Sequence, residues 1–319
     1  MEEQEHQPTE DEAKPERLLY HYTNQNGLLG ILNSKTIWAT HIRYLNDLEE
    51  YRAGVRLVER VIDETRVQGL INKETGDSFK SIFETLNTCD FYVASFSSAN
   101  DGDSLNLWRA YAASIPGYSI GFSPGKLRAA IRPRSDGTYS GMNWLSDVFY
   151  VSKEQDSEPR MISSYRQVPT IAVLISHLRS NSYKGDARFG VNLEDTVAAI
   201  QNNLEAVKTS GLLLMSILPA LKDAGFSDEI ESRIIQVRPD GAPSNVSNPV
   251  RFHHGSWSIV PHVEIPISFG KEQPPAIEKI VVGPCPHPGE AVKAVQLLLG
   301  SKGIANIEVV PSKIPYRNW

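Results

Sequence analysis

The sequence predicts an α+β fold built on a mixed or antiparallel central sheet. Strand-forming runs gather in two blocks, one from Leu18 to Val151 and one from Glu231 to Val310, while the stretch about 157–225 between them reads mostly helical. Strand-rich ends around a helical block favour α+β over the regular alternation of a doubly wound sheet. The helical stretch then reads as an insertion into one domain, 17–319, and the strands of the sheet come from both ends of the chain.

The elements follow in order. Leu18–Tyr22 is a strand by its Leu and Tyr content. Thr23 or Asn24 can cap a helix Asn24–Asn33, whose Leu28, Leu29, Ile31 and Leu32 form one stripe. Thr36–Thr40 is a second strand. Asp47–Val67 is helical, with Leu48, Tyr51, Val55, Val58 and Ile62 at steps of three and four. A further helix covers Ser78–Asn87, and Phe91–Phe96 is a buried aromatic and β-branched strand. Ser104 caps a short helix carrying Leu107, Trp108 and Tyr111, and Pro116-Gly117 separates it from a strand Tyr118–Phe122. Residues 132–144 read as a surface loop before a strand near Val148–Val151. In the helical middle, Ile162–Leu178 is bent near Pro169 and Leu193–Leu221 is interrupted at Gly211. Strands then return at Glu231–Val237, Trp257–Val260, Val263–Ser268, Ile277–Val282 and Ile307–Val310, with a helix Gly289–Leu299 before the last.

Composition narrows the function classes. The 319 residues carry a net charge of −6, which argues against a broad nucleic-acid-coating surface but not against a local basic groove. Two distant cysteines, Cys89 and Cys285, suit a reducing compartment. No apolar run approaches the roughly 20 residues of a membrane span. Residues 1–16 are acidic and polar, without the apolar core of a signal peptide, and read as a disordered tail. A cytoplasmic location is the expectation.

The phosphate-binding glycine motifs and the GxSxG elbow are absent. The spacing of His253, His254, His262, Cys285 and His287 fits no common zinc pattern, so no metal is expected. Three places carry chemistry. His21, Tyr22 and Thr23 end the first strand, with His21 and Thr23 on one face and Tyr22 on the other. A histidine there can donate to a sugar hydroxyl, or be a half-buried ring bonded to backbone. Ser95 and Ser97 share a strand face near Trp108, Arg109 and Tyr111, a set suited to a polar aromatic ligand and a phosphate. The plainer reading of Trp108 and Tyr111 is helix core. Glu229 and Glu231 would project to one side of a strand and act on a developing positive charge, or be the charges of a solvated edge.

Several segments together resemble a bacterial family known as domain-of-unknown-function family 2971. They are LYHYT (Leu19–Thr23), GLLGIL (Gly27–Leu32), IWAT and YLNDLEE (Ile37–Thr40, Tyr44–Glu50), YVASFS (Tyr92–Ser97), LWRAYA (Leu107–Ala112), GYSIGF (Gly117–Phe122), EIESRII (Glu229–Ile235), IEKIVVGP (Ile277–Pro284) and VVPSKIPYR (Val309–Arg317). The long material between Phe122 and Glu229 departs from the pattern. That family name implies no activity.

A first strand ending in His and Thr, a helix and strand, a distant Ser/Tyr strand and a late Glu-x-Glu also resemble the ADP-ribosyltransferase arrangement. That resemblance implies NAD as co-substrate and no metal. His21 would hold the ribose, Tyr22 or Tyr111 would pack on nicotinamide, and Glu231, helped by Glu229, would steady the oxocarbenium ion. Thr23, Ser95, Ser97, Trp108 and Arg109 would complete the nucleotide site. The implied function is a glycosyltransferase-type enzyme, an NAD-consuming transferase or glycohydrolase with a nucleic-acid or protein acceptor, in a toxin or antiviral-defence setting. The alternative is a non-catalytic module binding a nucleotide or nucleic-acid end. Its anion contacts would be Arg43, Arg109, Arg233, Arg317 and the helix start after Gly283-Pro284. A nuclease would instead need Asp47, Glu50, Glu229 and Glu231 around a divalent ion.

Overall fold

The computed structural model describes residues 16–45, 88–112, 116–134, 142–151, 218–238, 248–255, 257–268 and 273–315, with isolated helical positions between 52 and 84. Residues 1–15 of the tail expected at 1–16, most of the helices expected at 47–67 and 78–87, and the expected helical stretch up to 217 lie outside the described residues.

Strand β1 (Leu19–Thr23) leads into helix α1 (Gln25–Ser34) and strand β2 (Thr36–His41). The α1 cap is Asn24, whose side chain accepts the Gly27 amide at 2.9 Å, and Leu28, Ile31 and Leu32 form the buried stripe. A single 3-10 turn, Ile42–Tyr44, follows β2. Next come β3 (Asp90–Ser97), α2 (Leu105–Tyr111), β4 (Tyr118–Phe122) and α3 (Pro124–Ala130). Strands β5 (Met142–Asp147), β6 (Phe149–Val151) and β7 (Leu221–Asp223) precede β8 (Glu231–Arg238). The chain closes with β9 (Arg251–His254), β10 (Ile259–Pro266), β11 (Ile277–Val282), α4 (Pro288–Ser301) and β12 (Glu308–Pro311).

Ten of these strands form one mixed sheet, antiparallel throughout except for the parallel pair β11–β12, and β6 and β7 form a separate parallel pair. Strands from both ends of the chain interleave, as the sequence predicts for an α+β fold. The core lies between the sheet and helices α1, α3 and α4, with Phe96, Ile120, Phe122, Ile234, Val263 and Ile280 at its centre.

Strand β3 is a branch point. Along one edge it pairs with β8 over its full length, from Asp90↔Arg238 to Ser97↔Glu231. On the other edge β1 meets it only at Tyr20↔Ser97, and β2 only at Thr40↔Val93 and His41↔Tyr92. Between these contacts, residues 94–96 have no strand partner on that edge among the described residues. The sheet therefore forks into one arm running β1–β4–β11–β12 and another running β2–β10–β9.

Several local expectations change. Residues 218–225 are not the end of a helix: two 3-10 turns flank the short strand β7. The loop expected at 132–144 gives way at Met142 to β5, whose polar Asn143, Ser146 and Asp147 hide a strand held by pairing to β8. Trp257–Val260 and Val263–Ser268 are not two strands, because β10 runs continuously through Pro261. Proline is tolerated there because the last β2 pair is His262↔Thr40, so no ladder bond on that side needs its missing amide.

Candidate functional site

The fork opens a hollow of about 140 Å³ lined by Tyr20, His21, Tyr22, Leu45, Ser95, Phe96, Ser97, Leu107, Tyr111, Glu229 and Glu231. Tyr20 shares a sheet face with its cross-strand partner Ser97, as do Ser97 and Glu231. His21 points from β1 to the opposite face by alternation. It reaches the same hollow because β1 and β2 part here.

The His21 imidazole fills the gap in the ladder. Its Nδ1 lies 3.0 Å from the Ser95 carbonyl oxygen, and a carbonyl only accepts, so Nδ1 carries the proton. In the neutral ring Nε2 is then an acceptor. Burial lowers the His21 pKa, against the opposing pull of the Ser95 carbonyl, which favours that neutral form.

Tyrosines build the aromatic wall. The Tyr20 ring needs two glycines: a Cβ at Gly121 would sit 2.7 Å from its Cε1, and one at Gly102 2.2 Å from its Cδ1. Gly102 also has φ +82°, a conformation that favours glycine. The Tyr22 hydroxyl accepts the Ser104 amide at 3.0 Å, and its ring meets Trp108 edge-on at 4.8 Å. Burial pushes both phenols up to about 12, so they stay neutral.

The far wall is a buried charge cluster. Arg233 donates through Nε to Glu231 Oε1 at 2.7 Å and through a terminal nitrogen to Oε2 at 3.2 Å. Lys222 donates to Glu231 Oε2 at 3.0 Å and to Glu229 Oε2 at 2.8 Å. Burial alone would raise the Glu231 pKa. The Arg233 guanidinium, Lys222 and the Ser95 hydroxyl outweigh it and hold the carboxyl at about 2. The Glu231 amide donates to the Tyr150 hydroxyl at 2.8 Å. Tyr111, from α2, donates its hydroxyl to Glu229 Oε1 at 3.1 Å.

The two glutamates do not share a strand face. Glu229 ends the 3-10 turn Ala224–Glu229, and Ile230 has φ 44° and ψ 57° before β8 begins. A β-branched residue in the left-handed region is an outlier costing about 1–3 kcal/mol. It turns the chain so that both carboxylates close on one ammonium. The Ile230 carbonyl accepts the Ser98 amide at 3.1 Å, and the Ser97 hydroxyl donates to the Glu229 carbonyl, which ties the turn to β3.

Of the residues singled out in sequence, His21, Tyr22, Ser95, Ser97, Tyr111, Glu229 and Glu231 line the hollow. Trp108 does not: it is buried behind Tyr22, its Nε1 donating to Asp103 at 2.8 Å. Thr23 packs its hydroxyl against Gly27 at the start of α1. Arg109 is on the exposed side of α2 and is no lining residue. Arg233 holds Glu231 and the Pro219 carbonyl rather than lining the hollow. Gly283 donates its amide to the Gly117 carbonyl at 2.8 Å. Asp47, Glu50 and Arg317 lie outside the described residues. Lys222 is not legible in the sequence because it sits in a three-residue strand amid residues that read helical. Among the described residues, no group of three or more His, Cys, Asp or Glu side chains is placed to hold a metal ion, and no helix is long and apolar enough to cross a membrane.

The model of a family described as a protein of unknown function (DUF2971) matches residues 107–234. That stretch opens in α2, ends in β8, and contains Tyr111, Lys222, Glu229, Glu231 and Arg233. The resemblance to this family drawn from the sequence therefore holds there. No curated protein and no solved structure matches the chain.

Proposed function

We propose that the hollow at the fork binds a nucleotide and that the chain consumes NAD, as a transferase or glycohydrolase with a macromolecule or water as acceptor. The observation that carries the reading is the convergence of His21, Tyr111, Glu229 and Glu231 on one hollow from segments about two hundred positions apart. At about 140 Å³ its space lies below the roughly 300 Å³ of a pocket that swallows a drug-sized ligand. It takes one ring or one ribose, with the phosphates left toward the mouth. The His21 Nε2 accepts a ribose hydroxyl. The phenols of Tyr20, Tyr22 and Tyr111 offer aromatic surface to the nicotinamide ring.

In the reaction the bond between ribose C1′ and the nicotinamide nitrogen breaks, and nicotinamide leaves with the electron pair. The sugar is left as an oxocarbenium ion, which the acceptor attacks as it releases its proton. Glu229 is the carboxylate better placed to steady that cation: its partners are one cation, Lys222, and the neutral Tyr111 phenol, and it is the less buried of the two, whereas Glu231 is held by both Arg233 and Lys222. Glu231 keeps Lys222 in position.

A specific observation favours a second reading, binding without chemistry. The two glutamates are matched by two cations, Lys222 and Arg233, so the wall presents little net negative charge. Nicotinamide release from NAD, followed chromatographically, separates the two. Release by the wild type that falls at least tenfold in Glu229→Gln supports the enzyme. Equal release from both proteins overturns the role of Glu229. Thermal stabilisation by NAD or ADP-ribose with no nicotinamide formed supports the binding module.

A further inference from the structure

Two groups from separate elements grip the Glu229 carboxylate. Lys222, in β7, has a buried ammonium that meets Oε2 at 2.8 Å. Tyr111, the last residue of α2, places its hydroxyl 3.1 Å from Oε1 and 3.3 Å from Oε2. A carboxylate only accepts, so the phenol donates, and its proton is shared between the two oxygens. Both ends of this second bond rest on fixed backbone. Asp103, just before α2, accepts the Trp108 indole at 2.8 Å, the Ser312 hydroxyl at 2.6 Å and the Lys313 amide at 2.7 Å, which ties α2 to the C-terminal segment. The Ser104 amide, at the α2 cap, is held by the Tyr22 hydroxyl. Glu229 closes a turn that the Ser97 hydroxyl and the Ser98 amide tie to β3.

We propose that Tyr111 is a positioning residue for Glu229: its hydroxyl, together with Lys222, holds the carboxylate where positive charge develops on the sugar. The inference rests on the reading of Glu229 as the group that steadies the cation. A carboxylate with a single partner can swing about its own side-chain torsions. One held by donors from two anchored elements is set in advance, and electrostatic stabilisation is strongest when its groups need not reorganise as charge forms. The uncharged phenol suits the task. It orients the carboxylate without cancelling its charge, as a second cation, Arg233, does at Glu231. Phenylalanine would line the hollow with the same ring, and what tyrosine adds is the bond to Glu229.

The test is a double-substitution cycle of Tyr111→Phe and Glu229→Gln in the full chain, read in nicotinamide release from NAD and in the urea midpoint. Tyr111 is 45 % exposed and the change to Phe removes only its hydroxyl, so the variant should fold. The expected result is a kcat lowered about 10- to 100-fold in Tyr111→Phe, the loss of one bond to a charged group, with KM for NAD within about twofold. In the Glu229→Gln background the same change should lower kcat no further, because no charge is left to aim. An unchanged kcat in Tyr111→Phe, a loss carried by KM alone, or an equal fall in both backgrounds overturns the proposal. If the wild type releases no nicotinamide, the NAD reading falls and the urea cycle decides this one. Midpoint shifts that fail to add then support the hold of Tyr111 on Glu229, and additive shifts overturn it.

Discussion

In β4 every residue from Tyr118 to Phe122 is buried, whereas in β10 burial alternates and Ile259 remains 68 % exposed. The two strands belong to the two arms of the same fork. The β1–β4–β11 arm is covered on both faces: Leu19, Ile120 and Ile280 pack under α1 and α4, while Tyr20, Tyr22 and Val281 pack against α2 with Trp108. The β2–β10–β9 arm is covered on one face by Ile37, Ala39, Val263 and Ile265 and leaves Trp38, Phe252 and Trp257 to solvent. The hollow lies between a covered wall and an open one. The closed arm fixes Tyr20, Tyr22 and His21, and the open arm leaves its rings to solvent.

The largest expected effect is at the root of the fork. Arg233→Ala leaves Glu231 buried without its main counter-charge and should lower stability by about 3–5 kcal/mol, read from the urea midpoint. A loss near zero would mean the charge cluster is not what anchors that wall. In the closed arm Ile120→Ala, at a fully buried position, should cost about 2–5 kcal/mol. The Glu231 carboxyl gives a pH signature. Its pKa is about 4.5 in the unfolded chain and about 2 in the fold, so its stabilisation is complete above pH 4.5 and is lost as pH falls through 2. That loss is on the order of 3 kcal/mol, and the corresponding slope of stability against pH should vanish in Glu231→Gln. In the open arm Trp257→Ala should change stability by no more than about 0.5 kcal/mol. A loss of several kcal/mol there would erase the distinction between the arms.

The same contrast explains what the sequence could disclose. The paired runs LYHYT, YSIGF and IEKIVV read as strands because two-sided burial selects continuous apolar or aromatic runs. The α1 cap and stripe are local features, and they appear at Asn24, Leu28, Ile31 and Leu32 as expected. His21, Ser95, Tyr111, Glu229 and Glu231 were legible as polar groups in telling places. Their meeting was not, because it depends on β1 and β2 parting along β3, a matter of long-range register. Nor could the sequence show that Ile230 turns left-handed, since nothing in the run DEIES favours that conformation for isoleucine. Trp108 illustrates the reverse: a residue with the right chemistry whose indole is spent on Asp103 and Tyr22.

The fork leaves one mark that solvent deuterium can read. Along an antiparallel strand the amide and carbonyl of one residue point to the same side. The Ser95 carbonyl faces His21, so the Ser95 amide also looks into the gap, while its neighbours Ala94 and Phe96 turn toward β8. Ser95 should therefore exchange quickly in the middle of an otherwise protected strand. A molecule seated at the fork and accepting from that nitrogen would slow it, turning a single backbone proton into a reporter of occupancy.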